Sequence, residues 1–354
     1  METITGLLRG VLGDQLSPTA LLITGGLIMA LVMATVMALC AIVFTWGERK
    51  VAGFIQSRYG PMRVGRWHGV LQPVADMIKI LGKEDIVPAE ADATLFKMAP
   101  FVIFVGSLMA WAAIPFAPGF IASDLDLGLF YIFAVSSAVT IGVLMAGWAS
   151  DNKWSLYGAA RGAAQAVSYE IPLALAAIPV VLRTGSLNMN DIVIAQQGGI
   201  WHWNVLHDPF LFVAFWLYFV ASIAEVNRGP FDLPETESEL VAGYHTEYTG
   251  MRFAFFFLAE YANLFLVSCI ATALFLGGWH PVAGPVAAPG LVFVIKAVLL
   301  VFLQMWVRWT LPRLRVDQLM HTSWKVMLPL TLACVLGTGV WLLATGEVGG
   351  LAGM

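Results

Sequence analysis

Thr19-Ala-Leu-Leu-Ile-Thr-Gly-Gly-Leu-Ile-Met-Ala-Leu-Val-Met-Ala-Thr-Val-Met-Ala-Leu-Cys-Ala-Ile-Val-Phe-Thr-Trp46 holds no charged side chain from end to end. About 20 apolar residues in a helix cross the roughly 30 Å hydrocarbon layer of a bilayer. This run is longer, so it tilts or projects. A helix is at home there because it satisfies its own backbone N–H and C=O groups where no water can. The rest of the chain conforms: 59% of its 354 residues are hydrophobic and 12% charged. Mean hydropathy is +0.80. A soluble domain carries roughly 25% charge. The sequence therefore specifies an all-α polytopic membrane protein, one membrane domain over residues 1–354. The net charge of -4 says little, because Lys and Arg positions set topology.

About eight spans are expected. They lie near Thr19–Trp46, Lys97–Pro118, Leu129–Ala149, Gly162–Arg183, Phe210–Val226, Arg252–Leu276, Gly290–Leu311 and Lys325–Thr345. Arg49, Lys50, Arg58, Arg63, Arg66, Lys79, Lys83 and Lys97 follow the first span; Lys153 and Arg161 follow the third. Arg228 and Arg252 flank the fifth-to-sixth connection, and Arg308, Arg313, Arg315 and Lys325 the seventh-to-eighth. All fall on one side, which places those connections in the cytoplasm or matrix and both termini opposite. Trp46, Trp148, Trp154, Trp279, Trp309 and Trp324 mark span ends as an aromatic belt. Met1–Ser17 lacks the features of a signal or transit peptide, so insertion by the first helix is expected. A bacterial inner membrane fits, with a mitochondrial inner membrane as the alternative.

Two long connections lie on the basic side. In residues 47–96, Trp67, Val70, Leu71, Val74, Met77, Ile78 and Leu81 repeat at helical spacing, opposite His68, Gln72, Asp76, Lys79 and Lys83. This is an interfacial amphipathic helix, with a start or kink near Pro73. Residues 227–251 are acidic, with Asp232, Glu235, Glu237, Glu239 and Glu247 between two apolar runs. Anionic lipid repels such a cluster, and each carboxylate leaving water needs a partner or a proton. Thr236 with Glu239 suggests a capping box for a short helix.

Glu170, Glu225, Glu260 and Lys296 fall inside spans. A charge at the bilayer centre costs about 2.5–3.5 kcal/mol on insertion scales, and such residues mark ion paths or fixed pairs. Lys296 either belongs to a path or neutralises a glutamate. Three intramembrane acids beside an acidic loop favour a proton path, because perturbed carboxyl groups cluster where protons are handled. The basic residues of the first connection read, on composition alone, as a surface for anionic headgroups.

Phosphate-loop, dinucleotide-fingerprint and H-E-x-x-H patterns are missing. Cys40, Cys269 and Cys334 lie singly in apolar runs. No flavin, iron–sulfur cluster, metal or nucleic acid is expected on this chain.

Gly47-Glu-Arg-Lys-Val-Ala-Gly-Phe-Ile-Gln-Ser-Arg-Tyr-Gly-Pro61, Leu71-Gln-Pro-Val-Ala-Asp-Met-Ile-Lys79 and Ala164-Gln-Ala-Val-Ser-Tyr-Glu-Ile-Pro172 resemble a known family. So do Glu225-Val-Asn-Arg-Gly-Pro-Phe-Asp-Leu-Pro-Glu-Thr-Glu-Ser-Glu-Leu-Val-Ala-Gly-Tyr244 and Leu311-Pro-Arg-Leu-Arg-Val-Asp-Gln-Leu-Met320. The family is the H subunit (called subunit 1 in mitochondria) of proton-pumping NADH:quinone oxidoreductase, respiratory complex I. The resemblance implies an eight-span subunit without a redox centre that forms part of the quinone chamber and couples quinone reduction to proton translocation. The substrate would be ubiquinone or another quinone. Partners would be the hydrogenase-like large subunit, the subunit carrying the last iron–sulfur cluster, adjacent small membrane subunits and lipid. Carried over by motif, Arg49, Lys50, Arg58, Arg63 and Asp76 would border the chamber. Glu170, Glu225, Glu235, Glu237, Glu239 and Glu247 would form the proton path, with Glu260 and Lys296 as further members. The family commonly has another acid in the third span; Leu129–Ser150 has none here. The rival readings are the membrane subunit of a related proton-translocating hydrogenase, and an autonomous proton or ion transporter.

Overall fold

The computed structural model describes residues 18–65, 67–282, 284 and 288–346, apart from the side chains of Pro18, Leu21, Leu22, Glu237 and Ser238. Arg66 and Arg9 therefore lie outside the described residues. Thirteen α-helices follow in chain order: α1 (Pro18–Ile55), α2 (Gln72–Leu81), α3 (Ala93–Ala110), α4 (Gly128–Ala149), α5 (Lys153–Thr184), α6 (Met189–Ile194), α7 (Asn204–His207), α8 (Pro209–Glu225), α9 (Glu237–Leu240), α10 (Gly250–Phe275), α11 (Pro289–Thr310), α12 (Val316–His321) and α13 (Leu328–Thr345). No strand forms among the described residues, only an isolated bridge between Ala117 and Phe120.

Local chemistry sets the helix starts. Asp92, Asn152 and Asp208 cap α3, α5 and α8, each side chain accepting from backbone N–H groups of the first turn. Gly185 closes α5 in the left-handed conformation, at φ 70°. Pro73 stands in the first turn of α2, where its missing N–H costs nothing, so the helix begins there.

Among the described residues, seven helices are long and apolar enough to cross a membrane. The fifth expected span forms α8, apolar but only 17 residues long, about the minimum that spans. Four boundaries differ most from expectation. The second span ends at Ala110, with a 3-10 turn to Ala113, short of Pro118. The first helix does not end at Trp46; it runs on to Ile55, because Glu48 finds buried partners there. The fourth begins at Lys153 on its Asn152 cap. The last begins at Val316 and passes through a π-turn at Thr322–Met327 before α13.

α10 is the centre of the bundle. It packs against α1, α3, α8 and α11, and 61% of its apolar window is buried, against 17% for α1. Leu27, Leu31, Leu39 and Val43 leave much of α1 exposed, a surface suited to lipid or a neighbouring chain. At the end where α1 finishes, the loop before α10 is held down by aromatics: Tyr248 stacks on Phe96 at 4.0 Å, and Tyr244 meets Phe256 edge-on. Gly243 (φ 59°) lets the loop lie against Pro234, where a Cβ would come within 1.6 Å of the Pro234 carbonyl oxygen. The acidic segment is thus folded onto the bundle.

Candidate functional site: a groove beside a buried acid network

The last turns of α1, α2 and the start of α10 enclose a groove of about 410 Å³. Apolar Ile42, Pro73, Met77 and Phe257 line it, with Arg49, Asp76, Lys79 and Lys83 at its polar edge. An apolar cleft with a few placed polar groups is the general form of a small-molecule site. Arg49 and Asp76 form an ion pair there, and Gln72 donates to the other Asp76 oxygen at 3.0 Å. Both Arg49 and Asp76 stay partly exposed, so the pair can exchange partners with an incoming molecule.

The other basic residues of this region do not line the groove. Lys50 donates to the Pro61 carbonyl at 2.6 Å and holds the Gln56–Pro61 turn against α1. Arg58 is exposed and reaches only its own turn, at Gln56 (2.6 Å); Arg63 is exposed. The apolar stripe of α2 is split: Met77 turns into the groove, while Ile78 and Leu81 remain exposed.

Behind Arg49 the helix presents Glu48 inward, 4% exposed. Its Oε1 accepts from Arg308 at 2.5 Å; its Oε2 accepts from Arg228 and from the Tyr261 hydroxyl, each at 2.7 Å. Arg228 also approaches Glu260 Oε1 at 2.9 Å and lies over the Tyr261 ring. The sequence reading did not include Glu48, Arg228, Tyr261 or Arg308 among the site residues. The signal available was a Glu one position before Arg49 at a helix end, and it gives no partner without the fold.

The acidic loop divides. Glu235 faces inward, accepting from the Tyr244 hydroxyl at 3.1 Å, with His245 Nδ1 3.8 Å away. Burial first, then Glu260 and Asp232, push its carboxyl well above the usual carboxylate range, while Arg228 draws it back. Burial lowers His245 to about 4. Glu239 turns outward to Arg161 (2.7 Å) and Glu247 accepts from Asn152 (2.6 Å). The Glu237 side chain lies outside the described residues. The expected capping box does not form: the Thr236 hydroxyl donates to the carbonyls of Asp232 and Leu233 instead.

Deeper in the bundle, Glu225 borders a cavity of about 50 Å³ with polar lining from Ser136, Thr140, Tyr218, Asn227 and Asn263. That is room for a few water molecules. Glu225 Oε2 has no hydrogen-bond partner among the described residues. Glu170 accepts from the Ser137 hydroxyl and lies within electrostatic range of Glu225. The third span, which lacks an acid, thus contributes hydroxyls at this point. Asn263, one turn beyond Glu260 on α10, lines the same cavity as Glu225. Gln165 fixes the register by donating to Ala224, Asn227 and Phe231.

Lys296 stands apart. It meets no glutamate, but donates to the carbonyls of Leu276 (2.6 Å), Gly278 (3.0 Å) and His280 (2.6 Å), 3.9 Å from the Trp203 ring centroid, at the opposite end of the bundle. Among the described residues, no cluster of three or more His, Cys, Asp or Glu is placed to hold a metal ion.

Comparison with known proteins shows the family of the chain. The family described as NADH dehydrogenase matches residues 28–339. The chain is 47% identical to the H subunit of NADH-quinone oxidoreductase from Chlorobium luteolum, over 90% of each sequence. It is 48% identical to the protein of that name from a Geobacillus species, over 94% of this chain and 98% of the relative. With the Dehalococcoides mccartyi protein of the same name the identity is 51%, over 87% and 84%.

Proposed function

The chain belongs to the NADH dehydrogenase family, and from that premise we propose that it is the multi-pass membrane subunit of an NADH:quinone oxidoreductase, in a bacterial membrane, that helps bind the quinone and couples its reduction to proton movement. The chain's relatives carry that enzyme's name. The groove between α1, α2 and α10 receives the quinone from the lipid side, its apolar wall suited to an isoprenoid tail and its Arg49–Asp76 edge to a carbonyl or hydroxyl headgroup. Electrons reach the quinone through partner subunits, among them the hydrogenase-like large subunit and the carrier of the last iron–sulfur cluster. Residues 47–96 and 227–251 form the partner-facing surface, on the cytoplasmic side, with both chain termini opposite.

The observation that carries this reading is a mostly apolar groove edged by Arg49 and Asp76, where the residue before Arg49, Glu48, enters a buried network with Arg228 and Glu260. Reduction of a quinone draws protons or leaves negative charge, and nearby buried carboxyl groups respond by changing occupancy. Glu235 and Glu260 sense that change, and the cavity at Glu225, large enough for water, passes it to Glu170. Glu239 and Glu247, outward and hydrogen-bonded to side chains of α5 and the turn before it, shape the loop.

Two substitutions in the assembled enzyme test this. Asp76→Asn changes the quinone KM while the complex assembles; an intact complex with unchanged quinone kinetics removes the groove from the reaction. Glu225→Gln lowers the number of protons pumped per quinone reduced. Full pumping at normal turnover removes that residue from the path.

A further inference from the structure

Glu48 and Arg49 are consecutive on the final turns of α1, about 100° apart around the helix. They face different surroundings. Arg49 lies at the groove edge, 42% exposed and paired with Asp76. Glu48 is sealed among Arg228 from the loop, Tyr261 and, beyond Arg228, Glu260 from α10, and Arg308 from α11. Every oxygen of Glu48 is engaged. Arg228 is not so fully committed. Its Nη2 has no hydrogen-bond partner among the described residues, and its Nε lies 2.9 Å from Glu260 without the alignment of a hydrogen bond. This guanidinium is divided between two carboxylates, with donor capacity to spare.

We infer that Glu48 is a positioning residue that links the groove to the buried acids by controlling how Arg228 is shared between itself and Glu260. The inference rests on the reading of the groove as the quinone site. A molecule that takes Asp76 or Arg49 as its partner loads the end of α1, and Glu48 moves with it, being on the same turn. A small displacement of Glu48 redistributes Arg228, because the short contacts at 2.7 and 2.9 Å cannot both be kept. Arg228 also acts on Glu235, whose other titratable neighbours are Asp232, Tyr244, His245 and Glu260. A shift of one arginine therefore reaches both Glu260 and Glu235.

The test uses the assembled enzyme in membrane vesicles. Glu48→Gln withdraws one anion from Arg228, whose charge then falls more fully on Glu260 and Glu235 and makes them release protons more readily. The pH profile of protons pumped per quinone reduced is expected to move toward acid by about one unit. NADH oxidation with a water-soluble acceptor, which bypasses the quinone, stays at the parental rate per assembled complex. Glu48→Asp, which keeps the charge, returns the profile most of the way. Because Glu48→Gln leaves two arginines with one carboxylate, the charge-balanced pair Glu48→Gln with Arg308→Gln is made beside it, and its profile is shifted as well. A purely structural staple gives an unshifted profile in whatever complex assembles, and that result overturns the inference. So does failure of both neutral variants to assemble. If Asp76→Asn changes the quinone KM while the Glu48 profiles stay put, only this inference falls. If Asp76→Asn leaves quinone kinetics untouched, the reading of the groove falls first.

Discussion

Two buried polar clusters sit at opposite ends of this apolar bundle, and they solve the cost of burial differently. At one end Glu48, Arg228, Glu260 and Arg308 answer charge with charge, and burial pushes the neighbouring Glu235 carboxyl above the usual carboxylate range. At the other, Lys296 answers its charge with three backbone carbonyls. Carbonyl dipoles cannot titrate, and all three ammonium donors are used, so the partners at the Lys296 end cannot change. Carboxylates can gain protons, and Arg228 lies between two of them, so the partners at the other end can. Buried charge by itself therefore marks no pathway; what matters is whether the partners can change.

The sharpest way to break this contrast is Arg228→Leu. It strands Glu48 and Glu260 without their shared cation, and loss of one member of a buried pair costs about 3–5 kcal/mol. The amount of assembled complex and its thermal midpoint should both fall sharply; a stable, fully active variant means that the network is not held by charge. Lys296→Met comes next. It forfeits charge-assisted hydrogen bonds worth roughly 2–3 kcal/mol and loosens the Leu276–His280 turn, yet protons pumped per quinone should be unchanged in the complex that remains. A lost pumping ratio would return Lys296 to the proton path and end the comparison.

A smaller effect concerns pH. Unfolded His245 takes up a proton near 6.5, whereas the folded imidazole is lowered to about 4 by burial. Its contribution to stability is complete above pH 6.5 and is lost as pH falls toward 4. Glu235, raised by burial, acts with the opposite sign, losing its contribution as pH climbs through its folded value. Replacing His245 with Gln should flatten the acid limb of the thermal midpoint by up to about 1.4 kcal/mol per pH unit. An unaltered limb would mean that His245 is not kept neutral. The smallest effect is expected at Glu239, whose partner Arg161 lies at the surface; Glu239→Gln should cost less than about 1 kcal/mol and leave pumping intact. Impaired pumping there would extend the path to the outer face of the loop.

The spans were legible because an apolar run has one stable form in lipid, and most helices begin or end within a few residues of where their charges and prolines place them. The first and last helices overran their apolar segments. In both cases tertiary partners supported the extension: Glu48 found Arg228 and Arg308, and Tyr169 and Ser168 on α5 met Leu319 and Ser323 around the π-turn. The set of acids was readable too, but not its sorting. Glu235 and Glu239 are four residues apart in one acidic loop, yet one turns in to Tyr244 and the other out to Arg161.

The amino-acid sequence alone determined that this chain lives in a membrane as a bundle of helices, because hydrophobicity is a local property summed along the chain. It also supplied the carboxyl groups and, through its motifs, the family. Which of those groups share a buried environment was decided only when distant segments met. Glu48 and Arg308 stand 260 residues apart in the chain, and the worth of a buried charge depends on what surrounds it, which no local reading contains.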